Sequence, residues 1–464
     1  RVTTIKDFGK IFRSNPTLQE LCRRVTEGGR RRHIALDGLN ASAVSLATAA
    51  LFDEKCCNNI LVIADDADKA GYLYFDLTQL IGSDRVAFFP ALYKHIHKSG
   101  ATIAENGILR TDSLNKISDG KPCIIVSYPD AISEKVVAAD RFASARIALT
   151  KGQEYAMSTL LDDLRNSGFD EVDFVYEVGQ YSQRGSIVDV FSYSNELPYR
   201  IDFFGDTVES IRTFDIERQL SIEEVDRLAV VAATDSKEQG KVSLLEFVAP
   251  DTLIVANDID YCIKRIDQIY LQALVKANEQ RQTSDLYSSL IDGKGFRQQL
   301  EAFSTVEVLR NYYKADTLGF ATTLQPNFNK NFDLISKNIK QYLTDGYRIY
   351  IASDSKKQID RITSIFDDRG DDISFEAVDK TLHEGFVDND LKICFFTDHQ
   401  IFDRFHRFSL KSDTARRGKA AMLVKELNSL KPGDFVVHHD HGVGQFAGLL
   451  TTNINGKPQE VIKL

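Results

Sequence analysis

No apolar run in the 464-residue chain approaches the ~18 residues of a membrane-spanning helix. The opening stretch, RVTTIKDFGKIF, lacks the hydrophobic centre of a secretory leader. It starts at Arg1, so an initiating methionine is absent or has been removed. Cysteine is sparse: Cys22, Cys56, Cys57, Cys123, Cys262 and Cys394 form no CxxC pair. That spacing speaks against a disulfide framework or a cysteine zinc site, and suits reduced thiols in the cytoplasm. Basic charge is also short. A net charge of −10 argues against a surface that coats DNA unspecifically, though not against a local basic patch. What is there is the composition of a globular protein, 43% hydrophobic and 27% charged, long enough for roughly three domains.

Residues 1–32 read as helical and basic toward their end. Strands at 33–37, 59–64, 85–89 and 122–127 then alternate with helices at 41–52, 67–80 and 102–117. Such alternation implies a parallel sheet covered on both faces. The turn after the first strand, Asp37-Gly38-Leu39-Asn40-Ala41-Ser42-Ala43-Val44-Ser45, stands where a phosphate-binding loop would stand. A working loop is G-x-x-x-x-G-K-[ST]: its glycines let backbone N–H groups cradle phosphates, and its lysine reaches the β- and γ-phosphates. Aligned on Gly38, the second glycine is Ala43, the lysine is Val44, and only Ser45 keeps the pattern. Without the lysine this degenerate loop is not expected to bind ATP.

The densest patterning lies at 177–215. Arg184-Gly185 leads into a β-branched run, Asn195 to Pro198 turns the chain, and Gly205-Asp206 joins two more strands at 199–204 and 207–214. Strand parity puts Tyr199, Ile201 and Phe203 on one face, read as core. Arg200, Asp202 and Phe204 share the other, a polar face with a large aromatic, which is the make-up of a binding face. Before it, 151–167 reads as an amphipathic helix with Met157, Leu160, Leu161 and Leu164 on one side. After it come a buried strand at 252–256 and a long helix capped by Asn257 or Asp258, with Ile259, Cys262, Ile263, Ile266, Tyr270 and Leu274 as its apolar face. A third α/β unit follows, with helices at 331–344 and 356–367 and strands at 347–353 and 392–397; no chemistry is legible in it.

Two stretches near the end invite sharper readings. The segment 405–431 carries Arg407, Lys411, Arg416, Arg417, Lys419, Lys425 and Lys431. It reads as a solvated linker, the alternative being an arm that contacts DNA phosphates. His438-His439-Asp440-His441 suggests a metal, but neighbours on a strand point to opposite faces and cannot easily share one ion, so no metal site is expected.

The residues Gly179, Arg184, Gly185, Asp189, Phe191, Pro198, Arg200, Asp202, Phe203, Phe204 and Asp206 match GxxxxRGxxxDxF…P-Y-R-I-[DE]-F-F-[GD]-[DE]. This resembles the small domain with which two kinds of bacterial repair protein, the excinuclease component UvrB and the transcription-repair coupling factors, dock the excinuclease component UvrA. Lys431 to Leu449 is similar to the strand and glycine-rich turn, GDxVVHxxHGxGxxxGL, that opens the coupling factors' RNA polymerase interaction domain. The lost loop lysine, and the lack of room between Pro90 and Ala101 for the damage-probing hairpin of UvrB, favour the coupling factors.

The resemblance implies an α/β architecture. A helicase-like parallel-sheet domain with a degenerate phosphate loop spans 1–128 and 219–328, interrupted by a small α+β docking domain at 129–218. A third α/β domain at 329–404, a basic linker at 405–432 and the start of a small β-barrel at 433–464 follow, the chain ending inside that barrel. It implies Arg184, Arg200 and Phe204 as UvrA-binding residues, UvrA and RNA polymerase as partners, and no catalytic residues or cofactor in this segment. ATP, Mg and most DNA contact would belong to motor domains beyond it. The alternatives are an active UvrB-type enzyme, and a DNA-binding module acting through the basic linker.

Overall fold

Runs such as Ile60–Ile63, Ile124–Ser127 and Leu253–Ala256 have no polar face, so burying them requires cover on both sides. The computed structural model supplies that cover. It describes residues 2–27, 31–92, 100–195, 197–232, 240–279, 287–308, 317–406, 430–438, 442–454 and 457–463. The chain forms two compact units, one from 1–146 and 233–410, the other from 147–232 and 411–464.

The first unit holds two large sheets. One is a seven-stranded parallel sheet in the order Thr317–Gly319, His33–Asp37, Thr305–Val308, Leu253–Ala256, Ile60–Ile63, Ile124–Ser127, Val86–Phe88. The helices Ala43–Asp53, Ala67–Ile81, Gly100–Ser118 and Ile259–Glu279 alternate with its strands. Asp258 caps the last of these by accepting from the Tyr261 N–H. Its buried positions run Cys262, Ile263, Ile266, Ile269, Ala273, Ala277, so the apolar face drifts away from Tyr270 and Leu274 in the later turns.

The second sheet has six strands in the order Val2–Thr3, Glu376–Val378, Arg348–Ala352, Ile393–Thr397, Phe386–Asp388, Thr322–Leu324. The first four run parallel and the last two pair antiparallel at the edge. Here the fold departs from the expected division of the chain. Residues 1–128 do not all join the first sheet: Val2–Thr3 pairs with Ala377 and Val378, and the helix Ile5–Phe12 covers the second sheet. Phe8 packs its ring 5.0 Å from Tyr350 and 4.6 Å from Phe395.

The second unit is built on a six-stranded sheet in the order Ser221–Glu224, Thr207–Phe214, Tyr199–Phe204, Ile187–Val190, Gln180–Arg184, Asp170–Glu171, antiparallel except for its last pair. The helix Met157–Asn166 buries Leu160 and Leu164 against it. This helix starts later than expected. The preceding backbone is bonded to the sheet instead, with the Gly152 and Tyr155 N–H groups donating to Val208 O and Asp206 O at 2.7 Å each.

The unit's limits also differ from 129–218. Residues 129–146 are tied into the first unit by a buried Arg110–Glu134 ion pair of 2.9 Å and by the pairing of Val136–Val137 with Lys241–Val242. At the other end, Arg227–Val230 pairs with Ile147–Thr150 and closes the second unit. Near the C-terminus, Phe435–His438 pairs with Gly442–Gln445 and Gly448–Ile454 with Lys457–Lys463, as two hairpins.

Candidate functional site

Alternation along Tyr199–Phe204 places Ile201 and Phe203 in the core and leaves Arg200, Asp202 and Phe204 on the opposite side. Cross-strand register adds Asp189 beside Arg200 and Ile187 beside Asp202. It also sets Ser182 beside Asp189 and Arg184 beside Ile187. All three candidate docking residues therefore lie on one side of the sheet.

That side is not uniformly open. Val175, Phe191, Phe214 and Ile216 form a small apolar cluster of their own, and Asp189 is 0% exposed. A buried carboxylate needs partners, since stripping it of water costs several kcal/mol. Asp189 has two arginines. Its Oδ1 accepts from Arg200 Nε at 2.8 Å, and its Oδ2 accepts from Arg200 Nη2 at 2.8 Å and Arg184 Nη2 at 2.6 Å. The fork of Arg200 matches the carboxylate geometry, which a lysine could not do.

Arg200 is further committed. Its Nη1 donates to Gln219 O at 3.0 Å, and its guanidinium lies 4.5 Å from the centre of the Phe214 ring. The bond to Asp189 raises its pKa further, so it stays charged. Arg184 is freer, with a side chain 37% exposed that lies 4.7 Å from the Phe174 ring centre. The sequence pattern contained Asp189 but gave no sign that both arginines converge on it; that depends on register between three strands. Phe174 was missed as well, because it lies outside the matched motif.

Phe204 behaves differently. It is 77% exposed, the last residue before the Gly205-Asp206 turn, where Gly205 adopts φ +61°. A register shift between Asp202 and Phe203 adds local twist at this end of the hairpin. The bonds from Gly152 and Tyr155 hold the hairpin from outside. An aromatic presented on a fixed backbone loses little conformational freedom when a partner covers it.

The turn at Gly38 is the second predicted feature, in the first unit. Gly38 has φ +71°, and a Cβ there would meet Phe320 O at 2.1 Å. Its carbonyl accepts from Thr322 Oγ1 at 2.6 Å, and the Asn40 N–H donates to that same hydroxyl at 2.9 Å. The Ser42 N–H donates to Glu384 O, and the Ala43 and Val44 N–H groups close local turns onto Asn40 O and Ala41 O. Ser45 Oγ donates to Asp76 Oδ2 at 2.9 Å. Burial pushes the Asp76 carboxyl up to about 6, partly offset by bonds from Ser42, His383 and Ser45. Four of the loop's backbone N–H groups, those of Asn40, Ser42, Ala43 and Val44, are thus bonded within the protein, and the Asp76 carboxyl sits against Ser45.

The remaining candidates lie outside the described residues. They are Arg407, Lys411, Arg416, Arg417, Lys419 and Lys425 of the basic linker, His439, Asp440 and His441, and Tyr93 to Lys98 of the short loop. Among the described residues no helix is long and apolar enough to cross a membrane.

Comparison with known proteins follows these divisions. Residues 147–235 match the UvrB interaction domain, the limits of which nearly coincide with the compact sheet unit. Residues 430–464 match the CarD-like/TRCF RID domain. The two matches lie at separate places in one chain, a UvrB interaction domain followed by a CarD-like/TRCF RID domain. The chain corresponds, more particularly, to the N-terminal portion of the transcription-repair-coupling factors. It is 21% identical to that of Staphylococcus aureus (strain bovine RF122 / ET3-1) over 488 residues, which cover 87% of this chain and 41% of the relative. With that of Bacillus subtilis (strain 168) it shares 20% over 519 residues, covering 92% of this chain and 43% of the relative. The chain therefore spans less than half the length of these curated relatives.

Proposed function

We propose that this chain is the recruitment module of a transcription-coupled nucleotide excision repair factor, and that its compact sheet unit docks UvrA. The observation that carries this reading is Phe204: a large aromatic, 77% exposed, on a pinned hairpin, in the domain that matches the UvrB interaction family. Aromatic side chains of this kind dominate interface energies at ~2 kcal/mol or more each. Arg184 is half-exposed beside the exposed Phe174 and contributes to the same face. Arg200 acts at one remove, by holding Asp189 and the sheet in register.

The segment itself is read as non-catalytic, with ATP-driven translocation supplied by the remainder of a full-length factor. The engaged donors around Gly38, and the replacement of the loop lysine by Val44, support that division. RNA polymerase is the proposed partner of 430–464, where Phe435 and Val443 stand exposed on paired strands. Calorimetric titration of purified UvrA into the 464-residue chain tests the proposal. Saturable binding at micromolar or lower concentration supports it. Absence of heat and of co-elution on gel filtration removes it.

A further inference from the structure

Three histidines that are far apart in sequence meet in the first unit. His383 lies in the loop before Phe386–Asp388, His399 in the short helix Asp398–Ile401, and His406 just beyond it. One ring nitrogen of each lies within 4.8 Å of the others. His383 Nδ1 and His406 Nδ1 face each other at 3.0 Å, and the His399 and His406 rings stack with centres 4.3 Å apart.

We propose that His383, His399 and His406 form a binding site for a divalent d-block cation, with Zn2+ the best fit. Three observations carry this. The donor set is all imidazole, which suits zinc, copper and nickel rather than magnesium or calcium. His399 Nε2 donates to His383 O at 2.6 Å, which leaves Nδ1 with its lone pair. Metal-ligating histidines characteristically make such a bond with their second nitrogen, because it fixes tautomer and ring orientation. Asp398 Oδ1 lies 3.6 Å from that Nδ1, close enough to serve as a fourth ligand or to steady the site.

Tetrahedral zinc, with Zn–N bonds of about 2.0–2.1 Å, needs nitrogens about 3.4 Å apart. The 3.0 Å pair is already near that spacing, and the third ring has up to about 1.4 Å to close from 4.8 Å. The helix Ala67–Ile81 backs the site: Tyr72 stacks on His383 with centres 3.3 Å apart, and Phe75 packs edge-on to His406 at 4.7 Å. A bound ion would staple the chain leaving the second sheet to a loop on that sheet, against a helix of the first. The role is structural, tying the chain beyond the second sheet to that sheet's own loop, and it is independent of UvrA docking.

The test is to add Co2+, then Zn2+, to the metal-free 464-residue chain. Visible bands of tetrahedral Co2+ should develop to one equivalent and be bleached by Zn2+. Thermal unfolding should move upward with Zn2+. His406→Gln keeps much of the side-chain volume and should weaken Zn2+ binding about a hundredfold or more, beyond what outer-shell changes cost. Its far-ultraviolet circular dichroism should stay that of the wild type. Replacing His438, His439 and His441 together by alanine should leave the bands unchanged. Absence of bands in the wild type overturns the proposal. So do bands that survive His406→Gln, or bands lost from the triple variant alone.

Discussion

The turn after His33–Asp37 stands where a phosphate-binding loop would stand and the open end of the Tyr199–Phe204 hairpin matches a docking pattern, and they differ in what their atoms have left to offer. Around Gly38 many of the loop's polar groups are engaged: Thr322, Glu384 and Asp76 accept from the Asn40 N–H, the Ser42 N–H and the Ser45 hydroxyl, and Thr322 donates to Gly38 O. At the hairpin, Phe204 is an apolar group with no cover. The same contrast runs inside the docking face. Arg200 and Phe204 lie on one side of one strand, about 13 Å apart at ~3.3 Å per residue. Yet one is turned into a buried carboxylate and the other into solvent. A motif match carries residue type and position; whether a residue is available depends on what else has claimed it.

The sharpest way to break this comparison is Asp189→Ala. Both arginines would lose their buried counter-charge, and removing one partner of such a pair costs ~3–5 kcal/mol. Thermal or urea unfolding should show that loss, and a change within 1 kcal/mol would mean that the cluster is not structural. Gly38→Ala comes next. A Cβ at positive φ and 2.1 Å from a backbone oxygen should cost about 2–4 kcal/mol, read by urea unfolding of the first unit. Arg184→Ala should cost only about 1 kcal/mol in the second unit, since Arg200 keeps both oxygens of Asp189 occupied. Last is an expected null. Ala43→Gly with Val44→Lys restores the phosphate-loop letters but not its free donors, so equilibrium dialysis should detect no ATP. Binding by that variant would show that only these two loop residues were missing.

Much of the fold was legible where local pattern decides it. The alternation of apolar strands, such as those around Ile60 and Ile124, with helices announced a doubly covered parallel sheet, and strand parity put Ile201 and Phe203 in the core and Phe204 outside, with Tyr199 half-buried and Arg200 turned onto a second buried cluster. What failed to show depends on pairing across long sequence separations. Val2–Thr3 is too short to signal a strand, and its partner lies near residue 377. The limits of the docking unit are set by Ile147–Thr150 meeting Arg227–Val230, not by any change in composition. The amphipathic pattern from residue 151 was real, but the hairpin's backbone claims 151–155 first. The histidines at 438–441 drew notice by being adjacent, whereas His383, His399 and His406 are brought together only by the fold.

The inward turn of Arg200 decides how the central claim is tested. An Arg200→Ala change would disturb the sheet and the docking face together, whereas Phe204→Ala removes only an exposed ring. The measurement is therefore the affinity of UvrA for Phe204→Ala beside the wild-type chain, with thermal unfolding of both. Loss of ~2 kcal/mol, roughly thirtyfold in Kd, with unfolding unchanged within ~0.5 kcal/mol, is the expected result. Equal affinities would contradict the account and move the docking surface elsewhere on the unit.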